Sequence, residues 1–327
     1  MNRRRPGRRA AAAVTVVAVT VVAVTVALLG RPARPGSVTH AADGRLATSA
    51  RLIAQAGRAD PPCNPAASLR PLGPPAVTPG SFMATIRARG HLIAGVDQNT
   101  YHFGYLNPFD RQIEGFDIDM LHAISAAIFG NPDKIQYVAV SDVQRIPAVQ
   151  SGEVDIVAHT MTITCARWQK VDFSTVYFDA GQKVLVPTNS TARSLPDLGG
   201  KKVCATKGST SLTSITTSYA MSRQPVPVPV TYWTDCLVLL QQGDVAAIST
   251  DDSILAGLKA QDPFTKIIGP SFADEPYGLA ISGLHPDFVR FVNAVLARMR
   301  ADGQWADSYR HWVGPTAPAP PRAQYQD

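Results

Sequence analysis

No two cysteines stand at Cys-x-x-Cys spacing and no His-Glu-x-x-His occurs, so the ligand spacings of the common zinc sites are missing. Gly-x-Ser-x-Gly is absent too, which removes the nucleophile elbow of an α/β-hydrolase. No Gly-x-x-x-x-Gly-Lys-Ser/Thr run is present to cradle nucleotide phosphates. Nothing in the chain asks for a metal or a cofactor. Acidic residues are missing from residues 1–41, which hold seven arginines; the remainder has 24 basic against 25 acidic residues, a net −1. The formal net charge of +6 therefore belongs to one end of the chain and is no nucleic-acid footprint. No cysteine closely follows the N-terminal apolar run, Cys63 lying 34 residues beyond Leu29, and lipid attachment there is not expected.

What is present begins with Arg3, Arg4, Arg5, Arg8 and Arg9, followed by an uncharged run of Ala, Val, Leu and Thr over residues 10–29. An apolar region of ~7–15 residues is usual for a signal peptide, and about 20 are needed to span a bilayer as a helix. Residues 1–30 thus read as a signal anchor with its basic end inside, or as a signal peptide, with cleavage sites available at Arg31-Pro-Ala33 and Thr39-His-Ala41. Residues 31–80 are rich in Pro, Ala, Gly and Arg without sustained periodicity and read as a tether. The even count of four cysteines beside an export segment points to two disulfides.

At 45% hydrophobic content the rest of the 327 residues can bury one or two sizeable cores. A short helix after Ser81 leads to a strand over Leu92–Val96 that ends at Asp97, and Gly115 opens a helix with Asp117 as its expected N-cap. A weak internal repeat sets the architecture: Val149-Gln-Ser-Gly-Glu-Val-Asp-Ile-Val resembles Leu240-Gln-Gln-Gly-Asp-Val-Ala-Ala-Ile, each reading as helix end, glycine and buried strand. Four strand ends carry polar residues: Asp97, the Thr160–Thr164 run, Gly208-Ser-Thr-Ser211 and Thr250-Asp-Asp252. Ligands of open α/β sheets bind beyond the carboxyl ends of strands, so two facing lobes would form a cleft. Near the far end of the chain, Phe288, Phe291, Val292, Val295, Leu296 and Met299 make one helical stripe, Gly303 ends it, and Trp305 and Trp312 are expected to pack it down.

The densest polar stretch follows residues 154–158. In extended chain the hydroxyls of Thr160, Thr162 and Thr164 would share one face, with Arg167 close behind. Such a face suits a carboxylate, since arginine offers a planar fork of donors. The run Met161-Thr-Ile-Thr-x-x-Arg167-x-x-x-Val171-Asp-Phe-Ser, with Glu114-Gly-Phe-Asp-Ile-Asp-Met120, Gly208-Ser-Thr-Ser211, Thr250-Asp-Asp252 and Asp302-Gly-Gln-Trp305, resembles the family 3 extracytoplasmic solute-binding proteins over roughly residues 81–312. Within that family the chain looks most like the actinobacterial glutamine/glutamate-binding proteins of amino-acid ABC transporters.

The resemblance implies an α/β, two-lobed periplasmic-binding-protein-like fold of type II with a two-strand hinge near residues 177–181 and 276–280. Lobe 1 would comprise residues 81–180 and 278–313, lobe 2 residues 181–277, with a Pro-rich, frayed tail over 314–327. It implies an amino-acid ligand, with Arg167 on the α-carboxylate, Asp251 on the α-ammonium, a backbone amide near Thr210, and Phe103 as stacking aromatic with Tyr101 as alternative. Asp252 could exchange roles with Asp251. Thr160, Thr162, Asp97 and Ser209 complete the expected site. Lys207 and His159 are candidate readers of an acidic or amide side chain, so that glutamate, glutamine, aspartate or asparagine is expected. Two departures stand out: Thr160 holds a position often occupied by glycine, and Cys165 replaces the usual Asp, Glu or Pro. The resemblance also implies a Cys204–Cys236 bridge inside lobe 2, which leaves Cys63–Cys165 to pin the tether to lobe 1, one of three pairings open to four cysteines. The expected protein is an extracytoplasmic monomer, no enzyme, that hands ligand to an ABC permease. A membrane-tethered sensor serving a signalling partner would need the same cleft, and a periplasmic cyclohexadienyl dehydratase-like enzyme would share the fold.

Overall fold

The structure is a computed structural model that describes residues 63–217 and 223–327. The expected anchor and most of the expected tether lie outside the described residues. No described helix is long and apolar enough to cross a membrane. In chain order the elements that build the two lobes are α1 (Phe82–Arg89), β1 (Leu92–Val96), α2 (Phe116–Phe129), β2 (Ile135–Ala139), α3 (Arg145–Ser151), β3 (Ile156–Ala158), α4 (Cys165–Trp168) and β4 (Asp172–Phe173). They continue with β5 (Phe178–Pro187), β6 (Lys202–Thr206), α5 (Thr210–Thr217), β7 (Val226–Val230), α6 (Trp233–Gln242), β8 (Ala247–Asp251), α7 (Asp252–Gln261), β9 (Thr265–Ile268), β10 (Asp274–Tyr277), β11 (Ala280–Ile281), α8 (Pro286–Asp302) and α9 (Gln304–Trp312).

Lobe 1 carries the sheet β2-β1-β3-β11-β4, parallel through β2, β1 and β3, with β11 antiparallel to both of its neighbours. Lobe 2 carries β7-β6-β8-β5-β9, parallel from β7 to β8 and antiparallel on both sides of β5. Each parallel step uses a helical crossover, and apolar strands buried on both faces are the outcome: β1 and β3 expose almost nothing. The chain passes between lobes on two paired strands. The start of β5 runs antiparallel to β10, from Phe178 opposite Tyr277 to Gly181 opposite Asp274.

Helix α8 buries the apolar stripe read from its sequence, and Trp305 packs beneath it, its indole donating to Tyr177 O at 2.7 Å. Trp312 donates to Asp119 at 2.8 Å. Asp117 is not the N-cap. Gly115 holds that place, and Asp117 lies in the first turn of α2, fully buried, accepting from the Thr160 amide and the Tyr177 hydroxyl, both at 2.7 Å. Burial pushes its carboxyl up to about 6 against the opposing pull of those two donors.

Residues 63–80, expected to finish the tether, and residues 314–327, expected to fray, both lie on lobe 1. Ala67–Ser68 pairs in parallel with Gln324–Tyr325. The buried Asn293 amide donates to Ser68 Oγ and Leu69 O, while Asp327 accepts from the Arg70 amide and pairs with Arg290. Cys63 is disulfide-bonded to Cys165, and Cys204 to Cys236. Composition missed this docking because the Pro-rich stretches satisfy their backbone groups on each other and on α8, not within a local periodic element.

Candidate functional site

The carboxyl ends of β3, β6 and β8 converge where the lobes meet. There Asp142, Arg145, Thr160, Thr162 and Arg167 of lobe 1 face Ser209, Thr210, Ser211, Trp233, Thr250, Asp251 and Ile254 of lobe 2 across about 10 Å³ of space. That is barely room for one water.

The extended threonine face does not form. Thr160 adopts φ 42°, a left-handed conformation that a β-branched residue resists, which accounts for glycine being common at this position. The kink breaks the alternation: Thr162 bridges to Tyr277, and Thr164 turns away to cap α4, its hydroxyl accepting from the Arg167 amide at 3.2 Å. Helix α4 thereby aims Arg167 back at the cleft. Its guanidinium donates to Thr162 O at 2.5 Å and, across the lobes, to Gly208 O at 3.1 Å. It has no carboxylate partner among the described residues. Burial and the neighbouring Arg145 push its pKa down to about 10, so it stays a cation at neutral pH.

From lobe 2, Asp251 is buried at the end of β8 and accepts from Tyr277 Oη at 2.6 Å; Ser211 Oγ lies 3.5 Å from it. Burial and the nearby Glu275 raise its pKa well above the usual carboxylate range. Asp252, the alternative, is half-buried and faces the hinge, accepting from the Gly181 amide and pairing with Lys183 at 3.6 Å. Ser209 caps α5 through the Leu212 amide at 3.1 Å, and Gly208 at φ 85° leaves no room for a side chain against Val143. Thr210 opens α5, its hydroxyl turned to Glu275.

Four expected residues lie off the cavity wall. Asp97 is buried, bonded to the amides of Gln98 and Asn99 and the hydroxyl of Thr100, so it shapes the loop after β1. Phe103 is core, packed edge-on against Phe178 and Tyr277; Tyr101 lines a separate groove with Tyr105 and Thr234. Lys207 is exposed. His159 is buried with its Nε2 on Val140 O at 2.9 Å and its Nδ1 3.8 Å from Asp142. Missed from the sequence were Arg145, which is 3% exposed and tied to Asp142 at 2.8 Å, and Trp233 and Ile254. The Arg145–Asp142 spacing of three on a helix start was the one available signal.

Such a site sets a guanidinium without an acidic partner on one lobe against a buried carboxylate on the other, the two charges that a zwitterion needs. Residues 92–315 match the family model of bacterial extracellular solute-binding proteins, family 3. The ABC transporter glutamine-binding protein GlnH of Bacillus subtilis is 36% identical over 236 residues, 71% of this chain and 84% of the relative. A glutamine-binding protein of Geobacillus stearothermophilus is 38% identical over 199 residues, 59% of this chain and 73% of the relative. Among solved structures, an ancestral arginine-binding protein bound to glutamine superposes with a TM-score of 0.63 at 34% identity, covering 69% of this chain and 99% of that one. The chain therefore belongs to family 3 of the bacterial extracellular solute-binding proteins.

Proposed function

We propose that the protein binds a free polar amino acid, glutamine, glutamate, asparagine or aspartate, on the outer side of the membrane and delivers it to an ABC transporter when the lobes close. The observation that carries this reading is the pairing of Arg167 with Asp251 across one small cavity: the first takes the α-carboxylate, the second the α-ammonium. The names of the relatives support both the class of ligand and the transporter.

Neither lobe satisfies the ligand alone, so ligand contacts are complete only when the lobes meet, and binding favours the closed form. A charge left without its partner in a dry cleft costs about 2–5 kcal/mol, which is roughly 30- to several-thousand-fold in affinity. Calorimetry on Arg167→Ala and Asp251→Ala is expected to show losses in that range. If both variants keep affinity within about threefold, or if only leucine or arginine binds, the assignment is wrong.

A further inference from the structure

Glu275 is a carboxylate that the amino-acid reading leaves without a role. It sits on the hinge strand β10, 2% exposed, and reaches both lobes. Its Oε2 accepts from Thr162 Oγ1 at 2.5 Å and from Thr210 Oγ1 at 2.7 Å. Those hydroxyls belong to opposite lobes, lie 3.3 Å apart and both line the cavity.

A threonine hydroxyl has one proton and two lone pairs, and a carboxylate only accepts. Both protons are therefore taken up by Glu275. What the two hydroxyls can still offer a ligand is lone pairs. This inverts the role that a threonine-rich wall suggests, a set of donors for a carboxylate. The charges point the same way. Arg145 is neutralised by Asp142, so the ligand meets one unpaired cation, Arg167, and two carboxylates, Asp251 and Glu275. The α-carboxylate and α-ammonium use Arg167 and Asp251, and a second ligand carboxylate would find no cation left.

We propose that Glu275 sets the side-chain preference of the cleft: by fixing Thr162 and Thr210 as acceptors it selects a ligand side chain that donates, an amide, over one that ends in a carboxylate. This rests on the amino-acid reading above and narrows it to glutamine or asparagine. Glu275 is a positioning residue, acting through the two threonines.

The test is calorimetry of the full chain with glutamine, asparagine, glutamate and aspartate, on the wild type and on Glu275→Gln, whose amide can both donate and accept. The wild type is expected to bind the better amide at least about tenfold more tightly than its acid, because a site built for a donor rejects a ligand that cannot supply one. In Glu275→Gln the ratio is expected to shrink at least about threefold, since the hydroxyls regain protons to donate. An acid bound as well as its amide by the wild type, or an unchanged ratio in a variant that melts like the wild type, overturns the proposal. Should Glu275→Gln fail to fold, Thr210→Val replaces it: removing that acceptor is expected to weaken the amide more than the acid, and an equal loss for both overturns the assignment. Failure of all four ligands to bind the wild type leaves no ratio to measure, and that outcome sinks the amino-acid reading and this proposal with it.

Discussion

The two lobes follow one plan in different materials. Lobe 1 is built around rings: Phe103, Phe116, Phe178, Tyr177, Tyr277 and Trp305 pack into one cluster under α2 and α8. Lobe 2 is aliphatic, a cluster of Val, Leu, Ile and Ala in which Trp233 is the one fully buried ring among the described residues, and Cys204–Cys236 bonds β6 to α6 through its middle. Lobe 1 brings the arginines to the cleft and lobe 2 the buried aspartate. Aromatic rings bury large areas each, so lobe 1 can hold a discontinuous chain together without an internal bridge. A smaller aliphatic core gains more from a covalent one.

That contrast can be tested by cutting the bridges. In the chain-entropy model a loop of about 100 residues is worth roughly 4.7 kcal/mol, and one of about 30 roughly 3–4 kcal/mol. Cys63→Ser opens the 102-residue separation and Cys236→Ser the 32-residue one. Chemical denaturation is expected to show the larger loss for Cys63→Ser, as undocking of residues 63–80 from lobe 1, and the smaller for Cys236→Ser, as early melting of lobe 2. Equal midpoints for both variants and the wild type would contradict the contrast.

A second test separates the lobes by pH. Asp117 in lobe 1 is held at about 6, above the ordinary value of 3.8. The folded state therefore binds its proton more tightly than the unfolded chain does. Its contribution is complete below about pH 4 and is lost as pH rises through about 6, amounting to roughly 2–3 kcal/mol over the window. Asp117→Asn cannot titrate, so the stability of the wild type minus that of the variant should fall between pH 4 and 6 and level off above. A flat difference would show that Asp117 does not carry this dependence.

The smallest expected effect lies where the lobes touch. A methyl group on Gly257 of α7 would stand 2.5 Å from Tyr101 O on the loop after β1. Overpacking of that kind costs about 1–3 kcal/mol, while alanine in a helix interior is favoured over glycine by about 1 kcal/mol. Gly257→Ala is expected to keep or raise the thermal stability of lobe 2 while weakening glutamine binding roughly tenfold. Scattering without and with ligand reads the same change as a smaller compaction. Unchanged affinity would mean that this contact is not made in the bound form.

The strands β1 and β6, the glycines that end helices at Gly90 and Gly303, and the stripe of α8 were legible because each is written in adjacent residues or in one helical period. Arg167 and Asp251 were legible as residues beside a matched motif. Asp117 was misread as a cap because Thr160 and Tyr177, the groups that claim its carboxylate, lie 43 and 60 residues away. Phe103 and Lys207 illustrate the commoner fates of their types, core and solvent, which local pattern does not separate from a ligand wall.

Sequence alone determined the family, the two-lobed α/β plan and the charges available to a zwitterion, since these rest on local periodicity and on motif residues close together in the chain. Only the tertiary structure decided that Thr160 is kinked, that Thr164 caps a helix, and that Glu275, 113 residues from Thr162, takes the protons of two cleft hydroxyls. The reason is physical: a hydroxyl becomes donor or acceptor through the partner that folding brings to it, and that partner comes from the far end of the chain.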